Sequence, residues 1–244
     1  MKKLILFLGS ILFISVFIVS SYALTGDEVL KKVDEALVRN NQVANLTMTL
    51  TDKNGIKQSR EIQLFQKEGG KRLIKFLKPA DVKGVGFLSL PNDEMYIYMP
   101  VLGKVRRIAS HVKNQSFMGT DFSYEDIGGE KVSEGNNIKS FKEEEGSYLI
   151  EFSSTKKDAS YSFVKMIINK ETFIPSKTEF YDKAGKLCKV MLNQNVEKVD
   201  GKWVAKEIKM TNVKEDHNTV LKMTNMSFDD SISDDVFTQR NLQK

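Results

Sequence analysis

The feature that most constrains the fold is a long series of apolar–polar alternations separated by short turn signals. Leu46, Met48 and Leu50 alternate with threonines, and the Asp-Lys-Asn-Gly stretch at 52–55 favours a tight hairpin turn. Because no later run has the spacing of repeated crossover helices, we predict about eleven or twelve antiparallel strands in meander order. The predicted strands lie at 46–51, 60–65, 71–77, 87–90, 95–99, 104–108, 148–152, 161–168, 177–181, 187–196, 203–210 and 219–228.

One amphipathic helix precedes the strands. Thr25 and Glu28 have the spacing of a capping box, in which each side chain satisfies a backbone amide of the other residue. Behind them Val29, Leu30, Val33, Ala36 and Leu37 repeat at helical spacing to about Arg39. We expect the apolar stripe of this helix to lie on the sheet.

Some strands carry large apolar residues at consecutive positions, which a sheet with one solvated face does not favour. Leu73 and Ile74 are followed by Phe76 and Leu77, and 163–168 is similar. Two explanations stay open: both faces of these strands are covered, or one face forms the wall of an apolar cavity.

The N-terminus predicts export. Lys2 and Lys3 precede an apolar run at 4–19, and small residues before Ala23 suit a signal-peptidase site. We predict a signal peptide at 1–23, a single domain at 24–244 and a periplasmic location; a permanent membrane anchor is the alternative. No lipobox cysteine lies near the cut, and Cys188 is the only cysteine, so an internal disulfide is excluded.

The sequence lacks the motifs of common enzymes. His111 and His217 are the only histidines, and neither has metal-ligand spacing around it. Asp121, Glu125 and Asp126 suggest either a hydrolytic acid pair or loop carboxylates that form caps and ion pairs near Arg106 and Arg107. We favour the second reading and predict no enzyme activity, no cofactor and no metal site.

The central stretch at 104–129 is a long connection with its own apolar residues, among them Phe117 and Phe122. Such a loop is typical of a lid, a plug or a binding element, although the same residues could simply anchor the loop in the core. Charge is also uneven: positions 53–113 hold thirteen basic and five acidic residues. A basic edge of this kind suits contact with an anionic membrane surface or partner.

Four features together carry a family resemblance: the capped helix, RRI at 106–108, FMGTDFSYED at 117–126 and DVFTQRNL at 235–242. They resemble the LolA-like family of periplasmic lipoprotein carriers, in its outer-membrane lipoprotein-sorting branch. The resemblance implies an α+β, mainly β fold. It would be a strongly curved antiparallel sheet, an incomplete barrel of about 11 strands, with helices covering the concave apolar face.

The resemblance also implies a function. Such a carrier binds the acyl chains of a lipoprotein or lipid in an apolar cavity and moves them toward the outer membrane. Its expected partners are an inner-membrane transporter and an outer-membrane acceptor, with transient membrane-surface contact, no nucleic acid and a monomeric state. The alternatives are a lipid-binding accessory protein of an exporter, a sensor of lipid or lipoprotein, and a hydrolase.

From this resemblance we predict a ligand site and a lid formed by the first helix and 109–129. An arginine latches the closed lid in the best-understood carriers; Arg106 and Arg107 are the main candidates, and Arg60 and Arg72 are further ones. The predicted cavity or lid residues are Val29, Val33, Leu37, Phe76, Leu88, Met95, Ile97, Met99, Phe117, Met118, Phe122 and Tyr124.

Overall fold

A computed structural model describes residues 23–37, 41–129, 131–157 and 159–244. The predicted signal peptide, apart from Ala23, lies outside the described residues. Within the described part of the chain, no helix has the length and apolar character needed to cross a membrane.

Thirteen strands form the main body of the fold. They are β1 Gln42–Thr51, β2 Lys57–Lys67, β3 Lys71–Lys78, β4 Gly86–Leu90, β5 Glu94–Met99, β6 Lys104–Arg107, β7 Asn136–Glu144, β8 Ser147–Ser154, β9 Phe163–Asn169, β10 Pro175–Tyr181, β11 Leu187–Val199, β12 Lys202–Asn212 and β13 His217–Phe228. The α-helices are α1 Gly26–Leu37, α2 Tyr124–Gly128 and α3 Gln239–Leu242, and 3-10 turns occupy Pro100–Leu102, Ser110–Val112 and Asp234–Phe237.

All thirteen strands belong to one sheet in the order β6-β5-β4-β3-β2-β1-β13-β12-β11-β10-β9-β8-β7. Neighbouring strands are antiparallel throughout, and the pairing of β1 with β13 joins the two halves of the chain. The sheet is curved and does not close into a barrel, so β6 and β7 are its edges. The predicted fold class, a mainly β open antiparallel sheet, is confirmed.

The strand that the sequence did not reveal is β7. Its residues are mostly polar and exposed, as is typical of an edge strand. Its two large apolar residues, Ile138 and Phe141, are three positions apart, which breaks the period of two. A register shift between Ile138 and Ser140 restores the phase, so that both side chains face the same side of the sheet as the buried Phe152 and Ile150.

The first helix begins with the predicted capping box. The Thr25 amide donates to Glu28 Oε2 (2.8 Å), and the Glu28 amide donates to Thr25 Oγ1 (3.3 Å). Val29 and Val33 are fully buried in the main apolar cluster, on the inner, concave face of the sheet. Gly26 lies directly on β7, because a Cβ at this position would stand 2.9 Å from Ile138 Cδ1.

A second, smaller cluster lies on the opposite face of β3 and β4. Leu73 and Leu88 belong to it, whereas their neighbours Ile74 and Phe87 belong to the main cluster. The C-terminal segment covers this outer face with Ile232, Phe237 and Leu242. Both faces of β3 are therefore covered, which answers the question that its consecutive apolar residues raised.

Candidate functional site

A cavity of about 510 Å³ lies between the inner face of the sheet and a roof formed by α1 and the segments 122–129 and 131–136. The wall comes from β1 to β3 and from β8 to β13, so it draws on both halves of the chain. Its methionines and branched residues make most of the wall apolar: Leu46, Ile62, Ile74, Val164, Met166, Met191, Ile208, Met210, Leu221, Met223 and Met226.

Five of the ten methionines of the chain lie on this wall. A thioether side chain is unbranched and polarisable, so it repacks readily around ligands of varied shape. Polar side chains such as Gln42, Asn193 and Lys202 also line the cavity. The arrangement favours an apolar ligand that carries a polar group.

The central segment (109–129) is shaped by a tight turn at Met118 and Gly119. Both residues have positive φ, 52° and 77°, as a type I′ turn requires. The Thr120 amide donates to the carbonyl of Phe117 (3.0 Å), and the Phe117 amide donates to the carbonyl of Phe122 (2.8 Å). The turn directs both phenylalanine side chains toward the sheet, where they are buried.

Phe117 anchors the segment in the main apolar cluster. Its ring lies 5.3 Å from that of Phe87, 5.9 Å from that of Phe76 and 5.4 Å from that of Tyr124, measured between centroids. It is fully buried and does not line the cavity, whereas Phe122 is buried at the cavity wall. The two phenylalanines thus occupy different environments.

The predicted ligand residues likewise lie in different environments: the cavity wall, the main apolar cluster and the outer cluster. Leu37 and Phe122 line the cavity. Leu88 lies in the outer cluster, on the face of the sheet that is turned away from the cavity. The other predicted residues belong to the main cluster or pack against it: Val29, Val33, Phe76, Met95, Ile97, Met99, Phe117, Met118 and Tyr124.

Two arginines hold the central segment against the sheet. Arg72 Nη1 donates to the carbonyl of Ile127 (2.6 Å), its Nη2 donates to Gln66 Oε1 (2.7 Å), and its side chain lines the cavity. Removal from water lowers the pKa of Arg72 to about 10, so it remains a cation at neutral pH. Arg60 Nη1 donates to the carbonyl of Met118 (2.7 Å), and partial burial lowers its pKa too.

The two main latch candidates, Arg106 and Arg107, lie elsewhere. Both are exposed on the edge strand β6, and Arg107 approaches Glu94 at 3.7 Å. Among the four arginines considered, Arg60 and Arg72 are the ones with a hydrogen bond to the central segment in this structure.

The acidic residues of the central segment hold it to the other half of the sheet. Glu125 accepts a short hydrogen bond from Ser160 Oγ, and Asp126 accepts one from the Tyr161 hydroxyl (3.1 Å to Oδ2). Lys189 Nζ lies 3.5 Å from Asp126 Oδ2. Burial, and secondarily the charge of Asp126, raises the pKa of Tyr161 well above its ordinary value, so the hydroxyl remains a donor.

Asp121 forms a third tie, to β13. Its carboxylate is buried, accepts a hydrogen bond from Thr219 Oγ1 (2.7 Å) and lies 2.7 Å from His217 Nδ1. The capping role predicted for these acids is confirmed for Asp126, which forms the capping box of α2 with Ser123. The predicted neighbours Arg106 and Arg107 are wrong, because the three acids pair with Ser160, Tyr161, Lys189, His217 and Thr219. Among the described residues, no group of His, Cys, Asp or Glu is arranged to hold a metal ion.

The sequence contained a signal for Arg72 that the prediction did not use. Arg72, Ile74 and Phe76 alternate on one strand, so Arg72 points to the same inner face as these two core residues. Gln66 lies directly opposite Arg72 in the β2–β3 register, which places the two side chains within hydrogen-bonding distance. A cation on an otherwise apolar strand face marks a site or an anchor.

Comparisons with known proteins agree with this fold. A family model with the description "Uncharacterized protein" matches residues 68–244, and the chain belongs to that family. A comparison with curated proteins finds no match.

Solved structures give a more specific likeness. A protein provisionally described as an outer membrane lipoprotein-sorting protein domain, from Vibrio parahaemolyticus, is 26% identical with a TM-score of 0.80; the match covers 90% of this chain and 98% of that one. A DUF1329 family protein from Desulfovibrio piger is 27% identical, with a TM-score of 0.81 and coverage of 89% and 98%. A LolA superfamily protein from Nitrosomonas europaea shares the fold at 19% identity (TM-score 0.75, coverage 90% and 100%). The predicted likeness to LolA-like proteins is confirmed.

Proposed function

We propose that this protein is a periplasmic carrier that holds the acyl chains of a lipoprotein or lipid in the cavity beneath the central segment. The observation that carries the proposal is the methionine-rich apolar wall under a roof that is tied down by a few polar contacts. The likeness to a protein described as lipoprotein-sorting supports it.

The energetics favour such a ligand. Each methylene transferred from water into an apolar cavity contributes about 0.8 kcal/mol, so an acyl chain gains most of its affinity from the wall. The volume of about 510 Å³ lies within the range of roughly 300–1,000 Å³ that is usual for pockets binding small ligands.

The central segment serves as the lid in this proposal, and Arg72 is its latch. When the lid is closed, the guanidinium of Arg72 satisfies the Ile127 carbonyl at the edge of the cavity. Entry of an acyl chain displaces the lid and breaks this bond, together with the bond between Glu125 and Ser160 on the far side. Phe117 remains in the core as the fixed end of the lid, and Phe122 moves with the ligand.

The remaining parts of the proposal follow from the sequence. Cleavage after Ala23 releases a single domain at 24–244 into the periplasm. An inner-membrane transporter loads the carrier, and an outer-membrane acceptor receives the cargo. The protein acts as a monomer that contacts membranes transiently and catalyses no reaction.

A binding assay with a blocked cavity tests the proposal. We expect the exported protein to bind fluorescently labelled palmitate, and Met223→Trp, which fills part of the cavity, to weaken this binding at least about tenfold. Ile167→Trp, on an exposed position of β9, is the matched control and retains full affinity. Equal affinity of both variants and the wild type would place the ligand outside the cavity and contradict the proposal.

A further inference from the structure

Several large hydrophobic residues are exposed at one end of the sheet. Val101 is 92% exposed, Ile56 61%, Val213 48% and Leu102 44%. They lie in the turns 52–56, 100–103 and 213–216. These turns and the β3–β4 connection at 79–85 form what we call the hairpin rim.

Strand register places these turns side by side. Thr51 at the end of β1 pairs with Asn218 at the start of β13, Glu61 near the start of β2 pairs with Lys78, and Gly86 pairs with Tyr98. The four connections are therefore consecutive along the same end of the sheet, in the order β6/β5, β4/β3, β2/β1 and β13/β12. Within this row Val101 and Leu102 are adjacent in the chain and both exposed, and apolar side chains exposed side by side mark an interaction surface, unlike isolated ones.

The tip at 100–103 is rigid. The Gly103 amide donates to the carbonyls of Met99 and Pro100 (both 3.1 Å), and Gly103 adopts a φ of 59°. The neighbouring loop supports it, because a Cβ on Gly84 would lie 3.1 Å from Pro100 Cγ. Val101 and Leu102 are thus held outward by the fold.

The charge beside this tip is basic. Lys83 in the 79–85 connection and Lys104 directly after the tip are exposed, and Asp81 is the acid of that connection. The other two turns of the rim, 52–56 and 213–216, carry two lysines and three acids, and Lys214 pairs with Asp182. The excess of positive charge on the rim therefore lies beside Val101 and Leu102.

We propose that the tip at 100–103 of the hairpin rim docks the protein onto an anionic phospholipid surface, an inference that rests on the transient membrane contact proposed above. Val101 and Leu102 enter the headgroup region, while Lys83 and Lys104 beside them contact the lipid phosphates. Apolar side chains that protrude beside lysines have the two components of reversible membrane binding, namely burial of apolar area and attraction to anionic lipid. The docking does not depend on the cavity or its cargo.

Vesicle co-sedimentation of the exported protein tests the docking. We expect binding to vesicles of phosphatidylcholine with phosphatidylglycerol at low salt, and much weaker binding to phosphatidylcholine alone. The variant V101S/L102S should lose at least about tenfold in partitioning, since burying one such side chain contributes that much or more. K83E/K104E should lose on the order of tenfold as well and with it the preference for anionic lipid.

Controls keep the result interpretable. Ile167→Ser removes an exposed apolar residue from the middle of β9, and Lys222→Glu reverses an exposed charge in the middle of β13; both should bind like the wild type. All four variants should keep the melting temperature of the wild type, because every altered side chain belongs to the exposed surface. Wild-type protein that ignores anionic vesicles, or rim variants that bind them normally, would overturn the proposal. Rim variants that bind vesicles normally and lose binding only to a protein partner would also overturn it.

Discussion

Replacing Arg72 tests whether the central segment is a latched lid. In Arg72→Met the side chain keeps most of its length and loses its charge, so the carbonyl of Ile127 and the amide oxygen of Gln66 lose their donor. A hydrogen bond to a charged group contributes roughly 1.5–3 kcal/mol. Loss of the bond to Ile127 should therefore shift the equilibrium between closed and open lid toward the open state by about 10- to 100-fold.

The cost of the substitution to the stability of the folded protein is partly offset, because methionine does not carry a charge that burial penalises. The lid equilibrium and the stability of the sheet should therefore respond differently. We expect a large increase in hydrogen exchange at the amides of 122–129 and faster uptake of labelled palmitate. The melting temperature should fall little.

The matched control is Arg107→Met. Arg107 is exposed and makes one long contact with Glu94, and such surface pairs contribute about 0–1 kcal/mol. Amide exchange of the central segment should be unchanged in this variant. If both variants exchange and take up palmitate at the wild-type rate, Arg72 is not a latch; if Arg72→Met unfolds, its role is structural.

Three further changes have defined outcomes. Gly129→Ala should reproduce Arg72→Met in exchange and uptake, because its φ is +75° and the new Cβ would lie 2.6 Å from the guanidinium carbon of Arg72; normal lid exchange would contradict this. Phe117→Ala should lower the free energy of unfolding by about 3–5 kcal/mol in denaturant titration, whereas Phe122→Ala should mainly reduce palmitate affinity; equal effects on both quantities would remove the distinction. Tyr161 stays protonated in the folded protein above the pH at which it ionises when unfolded, so stability should fall as pH rises above about 10; Tyr161→Phe should flatten this fall, and an unchanged alkaline slope would refute it.

Local patterns in the sequence predicted most of the sheet because their causes are local. The capping box at Thr25 and Glu28 and the hairpin at 52–55 depend on neighbouring residues alone. Gly55 adopts the expected positive φ of 79°, and its amide donates to the carbonyl of Asp52 (2.9 Å). The polar edge strand β7 was not predicted from the sequence. A bulge interrupts its alternation of apolar and polar residues, and its exposed face needs few apolar residues.

The site was harder to predict because distant strands build it. Leu46 and Met223 face each other across the β1–β13 pairing, which no local pattern reveals. Whether an apolar loop residue lines a cavity or fills the core depends on this packing, so Phe117 and Phe122 were indistinguishable in the sequence. Strand parity did place Arg72 on the inner face, and its alternation with Ile74 and Phe76 is the clue that could have selected it among the arginines.

Native mass spectrometry of the protein purified from its own host without detergent tests the central claim most directly. The account predicts a mass excess that disappears on denaturation and that corresponds to a lipid or an acylated polypeptide. A protein that is recovered without ligand, and that stays so when it is offered lipid and lipoprotein, would contradict the account.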